Sequence, residues 1–384
     1  MLIVFVNSIL SGQTLDPVPA TTVLFPDRPC RAILNRPTIN RSTGPTSRAS
    51  SGRAGRSQVC CMSTRLQPFR ELATRKAGGK MCFEGVYSVL PTPFRADGSL
   101  DLDSLRSMSD VYLRAGIQGI TALGATSEVT KLTEQEQGHI LEYIMAQVNG
   151  RVPVVVGATA EGLVPCIEFT KRAQSNGAEA VMVSPPRMAT PSSDKAFAHF
   201  AELAAAADIE IVVQDYPPIS GLTMEPSLLA RIVREIPRAR TIKLEDPPTP
   251  TKIERIMQAY QGNDIRIFGG LGGLYLLEEL LAGAAGVMTG FAYPEMLVEV
   301  VELFRAGDLE RAADAFYRYV PLIRFELQQG IGTAVRKEIL RRRGAIANAF
   351  VRAPGSKVDT VSLRALDTLL RWMRDKEGAR WISV

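Results

Sequence analysis

The stretch Arg240-Thr241-Ile242-Lys243-Leu244-Glu245-Asp246 has an apolar centre interrupted by a single cation. It reads as a short buried strand, a place where lysine is seldom kept without a reason. Burial disfavours an ammonium relative to the free amine, and a free amine is what nucleophilic attack on a carbonyl requires. Two plainer explanations stand beside that one. The side chain reaches solvent at the strand end, or it pairs with Glu245 two residues along.

Outward from this strand the chain repeats one theme, a short apolar run followed by an amphipathic helical pattern. Strands are expected at residues 85–90, 119–123, 153–157, 180–184, 210–216, 241–244, 266–268 and 286–289, their starts 20 to 34 residues apart, room for a helix each time. The helices expected between them span 102–114, 134–148, 165–176, 193–207, 226–235, 251–260 and 274–282. Thr133 followed by Glu136 has the spacing of a capping box and sets the start of the second. Val- and Ile-rich strands alternating with helices indicate a parallel sheet covered on both faces. Eight such units fit an α/β chain closed as a (β/α)8 TIM barrel, and no Gly-rich dinucleotide fingerprint follows the first strand. The expected organisation is a leader over 1–80, the barrel over 81–296 and a C-terminal helical region over 297–384.

With 384 residues, 46% of them hydrophobic, the chain can bury a substantial core. Its net charge of +5 is unevenly spread. Residues 1–80 hold twelve basic and three acidic side chains, a net +9, while the other 304 hold 33 and 37, a net −4. A body of that sign gives no reason to expect nucleic acid as a partner, and nothing suggests a membrane. The leader is rich in Arg, Ser, Thr and Pro, with no acid between Asp27 and Glu71. It reads as an organelle transit peptide or as residues ahead of a start at Met62 or Met81, with the cytoplasm expected if no import occurs. Cys30, Cys60, Cys61, Cys82 and Cys166 lack metal-ligand spacing, and His139 and His199 stand apart in helical patterns. No metal or other cofactor is therefore expected, and a reducing compartment suits the thiols.

In a barrel the reactive groups gather at the C-terminal ends of the strands, and side chains alternate between the interior and the helical layer. Ile242 and Leu244 should meet the helices, which turns Thr241, Lys243 and Glu245 inward. By the same parity Val212, Gln214 and Tyr216 face inward on strand five. Adjacent strands thus aim an amine, an amide and a phenol at one cavity.

Further motifs stand in order around this scaffold: Pro91-Thr92-Pro93-Phe94 after strand one, Gly124-Ala125-Thr126-Ser127-Glu128 and Leu132-Thr133 after strand two, Pro217 and Gly221 after strand five, Ile242-Lys243 on strand six, and Gly283-Ala284-Ala285-Gly286-Val287 into strand eight. Over residues 82–375 the chain resembles the dihydrodipicolinate synthase and N-acetylneuraminate lyase family of class I aldolases. The resemblance implies that the Lys243 amine forms an imine with pyruvate or another 2-oxo acid, that Tyr216 shuttles protons or orients substrate, and that the turn holding Ala125, Thr126 and Ser127 grips the carboxylate. Gln214, Arg187 and Gly270 complete the expected substrate contacts, and relatives of this kind are commonly homo-oligomers. Several positions depart from the family. Counting back three residues from Pro217, where relatives carry the catalytic tyrosine, lands on Gln214; Ala125 stands in place of a relay hydroxyl; Ile219 replaces a carboxylate-binding arginine; and Ser184-Pro185-Pro186-Arg187 lacks a tyrosine pair. These departures argue against dihydrodipicolinate synthesis itself.

The expected activity is a Schiff-base lyase, an aldolase or a dehydratase. One alternative makes the glycines of residues 269–273 and Gly290 a phosphate cradle of the phosphosugar-barrel kind. Another is a barrel that binds a 2-oxo acid without turning it over. At the level of single residues, Tyr216 as a core cap, the 124–128 turn as a mere connection and Arg187 as a solvated cation stay open.

Overall fold

Eight strands, β1 (Gly85–Val89), β2 (Gly119–Ala122), β3 (Val154–Gly157), β4 (Ala180–Val183), β5 (Glu210–Asp215), β6 (Thr241–Leu244), β7 (Arg266–Gly269) and β8 (Gly286–Thr289), pair in parallel and close into a barrel, with β1 against β8. The computed structural model describes residues 83–382, which fall within one compact unit; the leader expected over 1–80, with Cys30, Cys60 and Cys61, lies outside the described residues, as does Cys82. Side-chain parity sorts two cores. Tyr87, Val89, Val155, Ala180, Met182, Val212, Phe268 and Met288 fill the interior, and Ile211, Val213, Ile242, Leu244, Ile267 and Val287 join the larger core under the helices. The TIM-barrel fold is therefore as expected, and with it the inward direction of Lys243.

The covering helices are α1 (Leu102–Arg114), α2 (Glu134–Val148), α3 (Leu163–Ser175), α4 (Ser193–Ala206), α5 (Pro217–Ser220), α6 (Pro226–Glu235), α7 (Thr249–Tyr260), α8 (Leu276–Leu281) and α9 (Pro294–Arg305). The capping box before α2 is present: Glu136 N donates to Thr133 Oγ1 at 3.2 Å, and Thr133 N to Glu136 Oε2 at 2.9 Å. Both α3 and α7 begin two residues earlier than expected, because Pro165 and Pro250 sit in their first turns, where no backbone N–H needs an intrahelical partner. The single turn α5 was not expected at all. Its first N–H is absent at Pro217, and the N–H groups of Ile219 and Ser220 close onto Tyr216 O at 3.0 and 3.2 Å. Beyond α9 come α10 (Leu309–Glu326), α11 (Gly332–Arg342) and α12 (Thr360–Asp375), with α10 packed on α8, α9, α11 and α12.

One buried carboxyl marks the wall behind β7. Glu279 of α8 is fully buried and lies against Gly269, where an added Cβ would stand 1.6 Å from Glu279 Oε2. Burial pushes its carboxyl up to about 8, with the hydrogen bond from Thr249 Oγ1 at 2.6 Å opposing and the charges of Glu245 and Glu278 adding to it. The folded state thus holds a proton that the unfolded chain releases near pH ~4.3. The stability due to that proton is complete below the unfolded value and is lost as pH rises through about 8. Glu279→Gln removes this titration. Thermal melts of wild type and variant should diverge in the variant's favour from about pH 4 upward, by a few kcal/mol at most, and run parallel above the folded value. A gap independent of pH would show that Glu279 is charged in the folded protein.

Candidate active site

Register brings the chemistry of β5 and β6 together, since Gln214 lies opposite Lys243. Lys243 is only 5% exposed, and its Nζ stands 3.1 Å from Glu245 Oε2. The same carboxylate oxygen accepts from Gln214 Nε2 at 2.7 Å, and Oε1 accepts from Leu271 N at 3.4 Å. On its other side Gln214 is held by Ser184, whose hydroxyl donates to Gln214 O at 3.2 Å and to Oε1 at 3.4 Å. Ser184 N in turn donates to Thr159 Oγ1 at 3.0 Å. These partners give the amide one sense, its oxygen toward Ser184 and its NH2 toward Glu245. A chain of polar contacts therefore crosses the barrel mouth from β3 to β6 and ends on the amine.

Gly270 belongs to this arrangement through its missing side chain. A Cβ there would stand 2.3 Å from Glu245 Cγ, so any larger residue displaces the carboxylate. The same loop does not form a phosphate cradle. The Leu271 N–H faces a carboxylate, and those of Gly273 and Leu274 turn back to Gly270 O and Leu271 O at 2.8 and 3.1 Å. A phosphate entering here would meet Glu245 charge to charge.

Outside the barrel wall, Lys252 of α7 stands 2.6 Å from Asp215 Oδ2 and 2.7 Å from Asp246 Oδ2. Asp215 points away from the cavity, opposite in parity to Gln214, and burial raises its carboxyl to about 6 against the pull of Lys252. This pair clips the ends of β5 and β6 to α7 and so holds Gln214 and Lys243 in register.

Tyr216 follows the last residue of β5, which stops one short of the expected strand end, and stands half-buried as the N-cap of α5. Burial and then the charge of Glu245 raise its phenol above the ordinary tyrosine value. Arg187 is exposed and braces that loop, donating from Nη2 to Pro218 O at 3.0 Å and Ile219 O at 3.2 Å. The turn after β2 is the 3₁₀ element Ala125–Ser127. Ser127 is engaged structurally: its hydroxyl donates to Leu90 O at 2.5 Å and accepts from Gly124 N at 3.1 Å, while its carbonyl accepts from Thr92 Oγ1 at 2.6 Å. Thr126 Oγ1 is buried and has no hydrogen-bond partner among the described residues. With the first N–H groups of the turn, which a helical start leaves unpaired, it is the group in this segment free to take an anion.

Sequence reasoning saw Glu245 only as a pairing partner for Lys243 and passed over Ser184 and Thr159. The signal for Glu245 was present in the Lys-x-Glu spacing, which puts both side chains on one face of a strand. Among the described residues no group of three or more His, Cys, Asp or Glu is arranged to hold a metal ion, and no helix is long and apolar enough to cross a membrane.

A parallel barrel whose mouth joins a buried amine to a carboxylate and an amide has the make-up of a class I aldolase-type lyase. The chain belongs to the dihydrodipicolinate synthetase family, whose model matches residues 82–372. It is 32% identical over 300 residues to the L-2-keto-3-deoxyarabonate dehydratase of Azospirillum brasilense, covering 75% of this chain and 96% of that protein. It is 33% identical over 244 residues to the 4-hydroxy-tetrahydrodipicolinate synthase of Methanothrix thermoacetophila, covering 63% and 81%. The crystal structure of dihydrodipicolinate synthase from Rhodopseudomonas palustris superposes with a TM-score of 0.72 at 31% identity, covering 75% of this chain and 97% of that one. The protein is thus a Schiff-base lyase or dehydratase acting on pyruvate or another 2-oxo acid.

Proposed function

We propose that the protein dehydrates a 3-deoxy-2-oxo sugar acid through an imine on Lys243, with Glu245 as the acid–base group. The observation that carries this reading is the Glu245 carboxylate, 3.1 Å from Lys243 Nζ and held by Gln214 at the position where relatives keep a tyrosine. The carboxylate takes the ammonium proton and the freed amine attacks the C2 carbonyl carbon; the carbonyl oxygen then leaves as water with one proton from the amine nitrogen and the other returned by Glu245, which is a carboxylate again. The imine draws electrons from C3, so that Glu245 can remove a C3 proton. That proton then departs with the C4 hydroxyl as a second water, and hydrolysis of the imine frees Lys243. The substrate carboxylate is assigned to Thr126 Oγ1 and the amides of Ala125 and Thr126, since the Ser127 amide already donates to Gly124 O. Ser184 and Thr159 offer partners for the hydroxyls of a sugar chain. Arg187 and Tyr216 form the rim, with Tyr216 orienting substrate.

Dehydration is favoured over dihydrodipicolinate synthesis by the same residues that depart from the synthases, Gln214, Ala125 and Ile219. The Azospirillum brasilense relative, matched along almost its whole length, is named for a dehydration of this kind. The reading includes a homo-oligomer, for which Tyr317, Val361 and Trp372 offer exposed apolar surface, and a cytoplasmic setting suited to the free thiol of Cys166.

The test is a pair of assays on one preparation. L-2-keto-3-deoxyarabonate should be consumed with loss of one water, followed by NMR, and the synthase assay should yield no 4-hydroxy-tetrahydrodipicolinate. Synthase turnover with an inert sugar acid would overturn the assignment. Labelling of Lys243 by 2-oxo acids without turnover of either kind would make the barrel a binding module.

A further inference from the structure

The C-terminal extension reaches the substrate end of the barrel through one fully buried lysine. Lys337 of α11 has a side chain with no exposed surface, and its Nζ donates to Glu128 Oε1 at 2.5 Å and to Phe350 O at 2.8 Å while lying 4.4 Å from the centre of the Phe94 ring. Glu128 immediately follows the Ala125–Ser127 turn. It adopts a left-handed backbone, φ +59°, that a non-glycine residue keeps only when its surroundings hold it there. Its second carboxylate oxygen accepts from Lys131 Nζ at 2.9 Å and from Arg352 N at 3.1 Å. Arg352 closes the cluster from the far side, stacking 4.3 Å from Phe94 and donating to Lys131 O, Gly98 O and the Glu136 carboxylate. From the barrel side the same turn is held by Ser127 on Leu90 and by Thr92 on Ser127 O.

We propose that Lys337 is a positioning residue for the carboxylate-binding turn, acting through Glu128. The proposal rests on the reading of Thr126 and its neighbouring amides as the seat of the 2-oxo acid carboxylate. Three N–H and O–H donors can grip an anion only if the backbone presenting them is fixed before the anion arrives. Contacts local to the turn fix its inner side. Its outer side is fixed by Lys337 and Arg352, which come from residues more than 200 positions away in the chain. The extension is in this sense part of the substrate site, although none of its side chains is placed on the reacting atoms. Removing the Lys337 charge leaves Glu128 with two of its three donors, so the fold is expected to survive while the left-handed turn loosens.

The measurement is the rate of borohydride trapping of Lys243 as a function of pyruvate concentration, in full-length wild type, Lys337→Met, Glu128→Gln and the double variant. Half-saturation by pyruvate should rise roughly tenfold in each single variant and no further in the double variant, while the maximal trapping rate stays within about threefold. A purely structural loss would lower the melting temperature and the maximal rate without moving half-saturation. Where Lys337→Met melts too low for assay, Glu128→Gln, which keeps the shape and two donors, carries the same comparison. Unchanged half-saturation in a folded variant, or additive shifts in the double variant, overturns the proposal. No adduct in wild type would instead remove the imine reading and this proposal with it.

Discussion

Lys243→Ala is expected to lower turnover of the 2-oxo acid by at least about 10⁴-fold, because no other group at the barrel mouth can hold the electrons released at C3. The loss should fall on kcat rather than on KM, since the carboxylate-binding turn after β2 is untouched. Stability changes as well. Glu245 is only 8% exposed, and the substitution leaves its carboxylate without a cation, though Gln214 and Leu271 N still donate to it. That is expected to destabilise the fold by about 1–3 kcal/mol, which a denaturant titration would register. The cavity left by three methylenes and an amine offers a further check. A small primary amine such as ethylamine, added to the variant, should restore part of the activity by forming the imine in place of Lys243, and a variant indifferent to added amines would place the chemistry elsewhere.

Glu245→Gln should separate imine formation from proton transfer. The amide keeps the size of the side chain and can accept from Gln214, yet it cannot carry a proton between C3 and the leaving hydroxyl. Turnover should drop by about 10²–10⁴-fold, the usual contribution of a positioned acid–base group, while borohydride still traps pyruvate on Lys243, more slowly, with water taking the ammonium proton in place of the carboxylate. Tyr216→Phe is the matching control. The phenol lies close enough to Glu245 for the carboxylate's charge to raise it, so it is the competing proton carrier. If Glu245 moves the proton, the phenylalanine variant loses distinctly less activity than the glutamine variant; the opposite ranking would return the role to Tyr216.

Periodicity was enough for the barrel because parallel strands buried on both faces must be apolar, and each needs a helix to return the chain. The expected 241–244 strand matches β6 at both ends, and α1, α2 and α6 match as well. What local pattern could not supply was contact between distant segments. Lys-x-Glu on a strand reads equally well as a surface pair, and what sets Glu245 apart is Gln214, 31 residues away on the neighbouring strand. Glu128 shows the same limit on a larger scale, since its position in the turn is visible in the sequence but its partner Lys337 is 209 residues on. The starts of α3 and α7 were hard to read for a different reason. Proline is tolerated anywhere in a first turn, so it marks the neighbourhood of a helix start rather than the first residue.

The imine itself is open to the most direct test. Full-length protein incubated with pyruvate, reduced with borohydride and digested should yield one peptide carrying the reduced pyruvate adduct, mapped by mass spectrometry to Lys243, and the Lys243→Ala variant should yield none. An unlabelled wild type across several 2-oxo acids, or an adduct confined to another lysine such as Lys252 outside the barrel wall, would contradict Lys243 as the imine-forming residue.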